Sequence, residues 1–182
     1  MSLLTVAAAL FLAVSLALPF ACPVFAGGSY SAKTTLLKNQ EYSDVLLKGI
    51  REARKEIIFT FYLFKLTESR GNQPREIAAE LVKARKRGID VTVILEEGSN
   101  RNDPLNSDNH ATALFLSRNG VKVFFDSPRI TTHAKVAVID NRFVYMGSHN
   151  LTQSALRHNN ELSVLIDSPE MALEIKSWLD RL

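Results

Sequence analysis

The chain has 182 residues, of which 46% are hydrophobic and 23% are charged. This composition supports a domain with a buried core and excludes an intrinsically disordered chain. The formal net charge is only +3, so charge alone does not indicate a nucleic-acid-binding protein. The single cysteine, Cys22, excludes an intramolecular disulfide and a cysteine-based zinc site within one chain.

The N-terminal segment is the most apolar part of the chain, and no charged residue precedes Lys33. Small and β-branched residues before Gly27 favour a secretory signal over residues 1–26, so the protein is expected to be periplasmic or secreted. The apolar stretch is also long enough for an uncleaved membrane anchor. A third interpretation is a lipoprotein, although Pro19 makes the sequence before Cys22 a poor lipobox.

Residues 27–35 are interpreted as a linker, and residues 36–182 as one folded domain. Its strand-like runs alternate with helix-like patterns, which favours an α/β fold with a mixed, mostly parallel sheet sandwiched by helices. The polar residues 96–109 predict a long loop. The predicted helices are residues 42–55, 74–87, 111–118, 151–157 and 169–182, and the predicted strands are 57–64, 91–95, 121–125, 134–139, 143–146 and 162–166.

The polar residues best suited to catalysis begin at the fourth of these strands. Residues two apart on a strand share a face, so His133 and Lys135 are expected to point the same way. Asp140 has the opposite parity and starts a hairpin turn with Asn141 and Arg142. It should therefore not touch the ligand that the histidine and the lysine contact.

The hairpin returns the chain beside His133 at residues 147–150. Gly147 removes a side chain where the backbone is expected to bend, and Asn150 falls where a helix N-cap is expected. An imidazole, an ammonium group, the Ser148 hydroxyl, a carboxamide and a helix N-terminus would then converge. Such a group of residues favours a phosphate site with a nucleophile held against it.

The pattern His133-x-Lys135-x4-Asp140-x6-Gly147-Ser148-x-Asn150 resembles the HKD motif of the phospholipase D superfamily. Residues 53–62 and 86–95 are similar to the segments that precede this motif in the single-motif bacterial nucleases of the superfamily. The similarity covers residues 36–182. It implies a phospholipase D/nuclease-like fold with one HKD motif per chain, and a metal-independent phosphodiesterase.

Known members of the superfamily place two such motifs in each active site. None of the other histidines, His110, His149 and His158, is followed by a lysine at the second position, so this chain has one motif. The resemblance therefore implies a homodimer with an active site shared across its two-fold axis. His133 of one subunit would attack phosphorus to give a phosphohistidine, and His133 of the other would serve as general acid and then base.

The resemblance also assigns roles to the remaining residues. Lys135, Ser148 and Asn150 would bind the phosphate, and Glu161 would orient the catalytic imidazole. Asp140 would support the catalytic residues without contacting the substrate. No thiols or carboxylates lie at ligand spacing around the histidines, so no metal and no other cofactor is expected. The other three histidines and Tyr62 are interpreted as packing or exposed residues.

Three functions follow from this resemblance. The leading hypothesis is a non-specific endonuclease on DNA, with RNA as a further substrate. The alternative is a phospholipase D-type hydrolase of phospholipid head groups, which an uncleaved membrane anchor would favour. The third is a nucleic-acid binding or uptake module with weak turnover. Intact motif residues argue against the third hypothesis.

Overall fold

The computed structural model describes residues 28–100 and 102–182, and within them seven strands form one sheet that five helices flank. The predictions for residues 1–26 lie outside the described residues. No helix among the described residues is long and apolar enough to cross a membrane. In chain order the elements are β1 (Lys33–Lys38), α1 (Glu41–Glu52), β2 (Glu56–Phe61), α2 (Gln73–Lys86), β3 (Asp90–Leu95), α3 (Pro104–Arg118), β4 (Lys122–Phe125), β5 (Lys135–Ile139), β6 (Phe143–Gly147), α4 (Gln153–Arg157), β7 (Leu162–Asp167) and α5 (Pro169–Leu179).

The strand order is β1-β7-β6-β5-β2-β3-β4, and the predicted α/β class with a mixed sheet between helices is confirmed. The prediction of a mostly parallel sheet is wrong. Only β2–β3 and β3–β4 are parallel, and the other four neighbouring pairs of the described sheet are antiparallel. Helices α2 and α3 make the parallel crossovers, whereas the β5–β6 hairpin and its neighbours reverse the chain.

Strand β1 crosses the predicted boundary between the linker, residues 27–35, and the folded domain. Leu37 is its only buried residue, so the sequence carries no alternation that would predict a strand. The strand forms because its main chain pairs antiparallel with β7, from Lys33 opposite Asp167 to Lys38 opposite Leu162. Tertiary pairing, rather than local pattern, therefore creates this edge of the sheet.

The larger core lies between the sheet and helices α1 to α4. Strand β2 contributes Ile57, Phe59 and Phe61, all fully buried, which agrees with the continuous apolar run in the sequence. Full burial of one such side chain stabilises the fold by about 2–3 kcal/mol. Helix α5 covers part of the opposite face with a smaller cluster that includes Val136, Val138, Val144, Ile166 and Ala172.

Two helix starts differ from the prediction, and capping explains both. Helix α3 begins at Pro104 because the Asp103 side chain accepts a hydrogen bond from Leu105 N at 2.9 Å, so the predicted long loop is about half helix. Helix α4 begins after Thr152, whose hydroxyl accepts from Ala155 N at 3.2 Å. Asn150 is therefore not a helix N-cap, and this prediction is wrong.

The predicted hairpin between β5 and β6 is confirmed. Asp140 and Asn141 both have positive φ, 57° and 56°, and Arg142 N donates to Ile139 O at 3.2 Å. These angles define a type I′ turn, which suits the twist of the flanking strands, and Asp and Asn tolerate its left-handed conformation.

Candidate active site

The centre of the candidate site is the start of β5, where His133 is exposed and Lys135 is buried. The two side chains point the same way, as their spacing predicted. Lys135 Nζ lies 3.3 Å from both ring nitrogens of His133 and donates to the His133 carbonyl oxygen at 2.9 Å. An ammonium group is thus fixed where the oxygens of a phosphoryl group attacked by the imidazole would carry negative charge.

Burial lowers the pKa of Lys135, and the negative charge of Glu161 acts in the opposite direction. Burial thus disfavours the ionised form of Lys135, and the Glu161 charge favours it. Such a desolvated cation interacts more strongly with a bound phosphate than an exposed lysine does.

Tyr62 completes the surroundings of the imidazole, although the sequence interpretation assigned it to the core. Its ring centroid lies 4.4 Å from that of His133, and Lys135 Nζ lies 5.0 Å from its ring centroid. The residue directly follows β2, and Tyr62 N donates to the Ala134 carbonyl oxygen at 2.9 Å. Because β2 pairs antiparallel with β5, the end of β2 meets the start of β5, and this pairing brings Tyr62 to the site without any local sequence signal.

Ser148 and Glu161 form a second polar group, at the ends of β6 and β7. Ser148 Oγ donates to Glu161 Oε2 and accepts from Leu162 N at 3.1 Å. Asn159 Nδ2 donates to the other Glu161 oxygen at 3.1 Å. Among the described residues, Glu161 makes no hydrogen bond to His133, so the predicted role of orienting this imidazole stays a prediction.

Asn39, which the sequence interpretation did not single out, fixes this second group from behind. Its side-chain oxygen accepts from Glu161 N at 2.9 Å, and its carbonyl oxygen faces His149 Nε2 at 2.9 Å. His149 is buried, stacks on Tyr42 and contacts Ser163 Oγ at 2.7 Å. Burial lowers the pKa of His149, and the Asn39 contact acts in the opposite direction. These contacts agree with the predicted packing role of His149.

Gly147 allows β6 and β7 to approach each other at the site. A Cβ atom at this position would lie 2.5 Å from the Leu162 carbonyl oxygen. The sequence predicted a glycine here because the backbone bends. The structure instead shows that glycine is needed because the two strands pack closely. His133, Lys135 and Gly147 line one cavity of about 330 Å³ together with apolar residues of β5, β6 and α5.

Asn150 is partly buried, and its side-chain oxygen has no hydrogen-bond partner within the described part of the chain. A buried, unsatisfied acceptor costs about 1–3 kcal/mol. The next residue, Leu151, is held by Leu63 and Lys65, with Leu151 N donating to the Leu63 carbonyl oxygen at 3.0 Å. The Leu151 contacts fix the main chain next to Asn150, and the unpaired oxygen of its carboxamide is buried.

The structure separates Asp140 from the other predicted site residues. It lies at the opposite end of β5, where its carboxylate accepts hydrogen bonds from the main-chain N–H groups of Arg54, Lys55 and Glu56 at 2.7–3.3 Å. Asp140 N in turn donates to the Glu56 carbonyl oxygen at 2.9 Å. These contacts join the hairpin turn to the connection between α1 and β2, and none of them reaches the imidazole.

The remaining histidines lie away from His133. His110 Nε2 is 2.9 Å from Glu97 Oε2 and its ring stacks on Phe125, whereas His158 is exposed and ends α4. In residues 28–100 and 102–182, no three or more His, Cys, Asp or Glu side chains are grouped as a metal-ligand set.

Solved structures with this fold include two bacterial proteins of similar size. Nuc from Salmonella typhimurium, described as a phospholipase D family member, is 27% identical with a TM-score of 0.68. The match covers 83% of this chain and 94% of Nuc. NucT from Helicobacter pylori is 24% identical with a TM-score of 0.65, over 83% of this chain and 95% of NucT. The predicted phospholipase D/nuclease-like fold is thereby confirmed.

The family model described as "Cardiolipin synthase, PLD-like domain" matches residues 46–182. The chain therefore belongs to this family, within the phospholipase D-like phosphodiesterase superfamily. Cardiolipin synthase A of Buchnera aphidicola is 28% identical over 149 residues, which are 77% of this chain and 30% of that protein. Phospholipase D of Rickettsia bellii is 31% identical over 106 residues, 58% of this chain and 50% of that protein. The chain thus spans half or less of these relatives' lengths.

Proposed function

We propose that the protein is a metal-independent phosphodiesterase that acts on DNA as a non-specific endonuclease, with His133 as the nucleophile. The observation that carries this proposal is the exposed imidazole of His133 fixed between the Lys135 ammonium group and the Tyr62 ring. This arrangement pairs a nucleophile with a positive charge for the phosphoryl oxygens, at the opening of a cavity.

The reaction proceeds in two displacements at phosphorus. A His133 ring nitrogen forms a bond to phosphorus while the bond from phosphorus to the leaving oxygen breaks, and a second imidazole gives its proton to that oxygen. A water molecule then loses a proton to the second imidazole and displaces His133 from phosphorus. Lys135, Ser148 and Asn150 stabilise the charge on the remaining phosphoryl oxygens. The products are a phosphate monoester and a free hydroxyl.

The second imidazole comes from His133 of a second copy of the chain, so the active unit is a homodimer. Support for this step is the single H-x-K pattern in the sequence and the presence of one exposed histidine at the site. If two copies share each site, replacing half of the wild-type chains with His133→Ala chains at constant total concentration, with subunit exchange, reduces activity to about one quarter, because only wild-type pairs contain both reacting imidazoles. A reduction to about one half would indicate that one chain is sufficient.

DNA is proposed as the substrate because the chain carries one H-x-K pattern and its match covers 94% of Nuc but 30% of cardiolipin synthase A. Arg129, four residues after the end of β4, is exposed in the connection that leads to His133. Plasmid nicking by wild-type protein, with His133→Ala as the inactive control, tests the proposal. Binding should weaken steeply as salt rises, because phosphate contacts dominate binding of nucleic acid. Binding without nicking would favour the uptake module.

Phospholipid is the second candidate substrate, and one observation favours it. The cavity beside His133 has an apolar wall formed by Val136, Met146, Ile175 and Trp178, and Trp178 is 39% exposed. Acyl chains could pack on this wall while the head group reaches the imidazole.

Hydrolysis of phosphatidylcholine and cardiolipin vesicles, measured on the preparation used for plasmid nicking, separates the two substrates. Trp178→Ala should reduce lipid hydrolysis and leave nicking unchanged if the apolar wall holds acyl chains. Leu173→Ala is the matched control, because Leu173 is an exposed apolar residue of the same helix that does not line the cavity. Equal effects of both variants on lipid hydrolysis would reject the wall as an acyl-chain site.

The proposed location of the protein is outside the cytoplasm, on the basis of the apolar residues 1–26. An uncleaved segment would instead anchor the protein in a membrane. The mass of the mature N-terminus distinguishes a cleaved signal, an anchor and a lipid-modified cysteine.

A further inference from the structure

Two buried carboxyl groups meet just behind the candidate nucleophile. Glu96 directly follows β3 and Asp126 directly follows β4, and because these strands are parallel, their carboxyl ends lie side by side. Glu96 is 3% exposed and Asp126 is 6% exposed. Glu96 Oε2 accepts a hydrogen bond from Thr132 N at 2.6 Å. Thr132 immediately precedes His133, so this bond fixes the main chain that carries the imidazole.

One oxygen of Asp126 has no ordinary donor. Its Oδ1 accepts from Glu97 N at 2.8 Å, whereas Oδ2 is buried and receives no hydrogen bond from any N–H or hydroxyl group of the described residues. The Glu96 carboxyl lies beside Asp126, because the parallel strands β3 and β4 end next to each other and the two carboxyl groups interact. Two ionised carboxylates in this position would repel each other, and a proton held between them would satisfy both.

The pKa of Glu96 agrees with this geometry. Burial raises the pKa of Glu96 to about 6, and the hydrogen bond to Asp126 adds to the increase. The charged groups nearby do not neutralise the pair. His110 of α3 pairs with Glu97 at 2.9 Å, and Lys135 at the start of β5 contacts His133.

We propose that Glu96 is a positioning residue for His133, and that a proton shared between Glu96 and Asp126 keeps its carboxyl group against Thr132 N. The main chain before the nucleophile is then held from the interior of the protein rather than by groups that contact substrate. The effect on turnover rests on the function proposed above, whereas the shared proton does not.

The activity test compares two substitutions at Glu96. Glu96→Gln keeps an oxygen for Thr132 N and provides N–H groups for Asp126, so it should retain kcat within about 2-fold. Glu96→Ala removes the acceptor, so kcat for plasmid nicking should fall by about 10- to 100-fold with KM within about 2-fold, because a small displacement of a nucleophile impairs its alignment. Equal kcat values for the two variants would overturn the positioning role.

The stability test measures the melting temperature against pH. The folded-state pKa of Glu96, about 6, lies above its ordinary value, so the folded state holds the proton more tightly than the unfolded state does. This stabilisation is complete below the ordinary pKa and is lost as pH rises through about 6. The wild-type melting temperature should therefore fall by about 4 °C relative to that of Glu96→Gln between pH 4.5 and 7.

Glu80 provides the matched control, because it is also a nearly buried glutamate but lies on α2. Burial alone would raise its pKa, yet contacts with Lys83 and Arg51 hold the pKa below its ordinary value. The stabilisation from Glu80 is thus present above its ordinary pKa and lost as pH falls. Glu80→Gln should retain activity and lose stability mainly at neutral pH, which is the opposite trend.

The melting-temperature test and the activity test can fail independently of each other. If wild type and Glu96→Gln have parallel melting curves across this pH range, the shared proton does not exist, whatever the enzyme acts on. If the melting curves diverge as expected but no preparation cleaves DNA or lipid, the proposed function is wrong and the shared proton stands.

Discussion

The two ends of strand β5 carry residues of the same predicted motif but have different surroundings. At its start, the imidazole of His133 is exposed, and the nearby Lys135 ammonium group has one main-chain acceptor. At its end, the carboxylate of Asp140 is held by three main-chain N–H groups of another connection. The start of β5 leaves polar atoms available to a substrate, whereas at its end the polar atoms are already hydrogen-bonded to the main chain. The comparison teaches that residues of one motif can serve chemistry and folding separately.

Distance makes this division unavoidable. Asp140 follows Lys135 by five residues, and at about 3.3 Å per residue of strand the two lie about 16 Å apart along β5. A phosphate bound at the imidazole therefore cannot contact Asp140. The following substitutions test whether the two ends are as different as the contacts indicate.

The largest effect is expected at the start of the strand. His133→Ala removes the nucleophile, so kcat for plasmid nicking should fall by at least about 1000-fold. The exposed side chain contributes little to the core, so the melting temperature should stay within about 2 °C of wild type. His158→Ala, at another exposed histidine, is the control and should retain activity. Substantial nicking by the His133 variant would remove the chemical role from this end of the strand.

At the other end, the expected effect is on stability. Asp140→Ala loses the acceptor for three N–H groups and places alanine at a φ of 57°, so the free energy of unfolding should fall by about 2–4 kcal/mol. Asp140→Asn should lose less, because asparagine accepts hydrogen bonds and tolerates this φ. Urea unfolding at neutral pH measures both changes.

The activity of the folded Asp140 variant gives a second test of the two ends. Folded Asp140→Ala protein should keep kcat within about 2-fold of wild type, since no contact links the carboxylate to the imidazole. If kcat of the folded variant drops as far as that of His133→Ala, the two ends of β5 are coupled and the separation of roles is wrong.

Periodicity and spacing predicted much of this arrangement, for physical reasons that can be stated. The period of two along β5 predicted that His133 and Lys135 share a direction, and the parity of Asp140 predicted that it stays away from their ligand. Sequence spacing could not show what the carboxylate binds instead, because its partners at residues 54–56 are more than eighty positions away. Tyr62 and Glu96 were missed for the same reason, since strand pairing brings them to His133.

Fold predictions failed where tertiary contacts outweigh local pattern. Strand β1 has only one buried residue and exists through its pairing with β7. Helix α3 extends seven residues earlier than its apolar periodicity indicated, because Asp103 and Pro104 supply a cap and a first turn. A capping signal was present in the sequence in the second case, and no comparable signal was present in the first.

A moderate effect is expected for Ser148→Ala, which lies beside the start of β5 but is not the nucleophile. The substitution removes a proposed phosphate contact and also the hydrogen bond to Glu161, so kcat should fall by about 10-fold. Ser154→Ala, an exposed serine whose side chain lies outside the site, is the control. Unchanged kcat in the Ser148 variant would show that Ser148 does not contribute to catalysis, and would leave the catalytic role to His133 and Lys135.

The smallest effect is expected from removal of metal ions. At the start of β5 the buried ammonium group of Lys135 already places a positive charge against both ring nitrogens of His133, which is the charge that a phosphoryl transition state needs. Nicking should therefore proceed at the wild-type rate after metal stripping and in the presence of EDTA. A magnesium-dependent nuclease assayed in the same buffers shows that chelation was complete. Strict dependence on an added divalent ion would mean that Lys135 does not provide this charge, and the role assigned to this end of the strand would have to change.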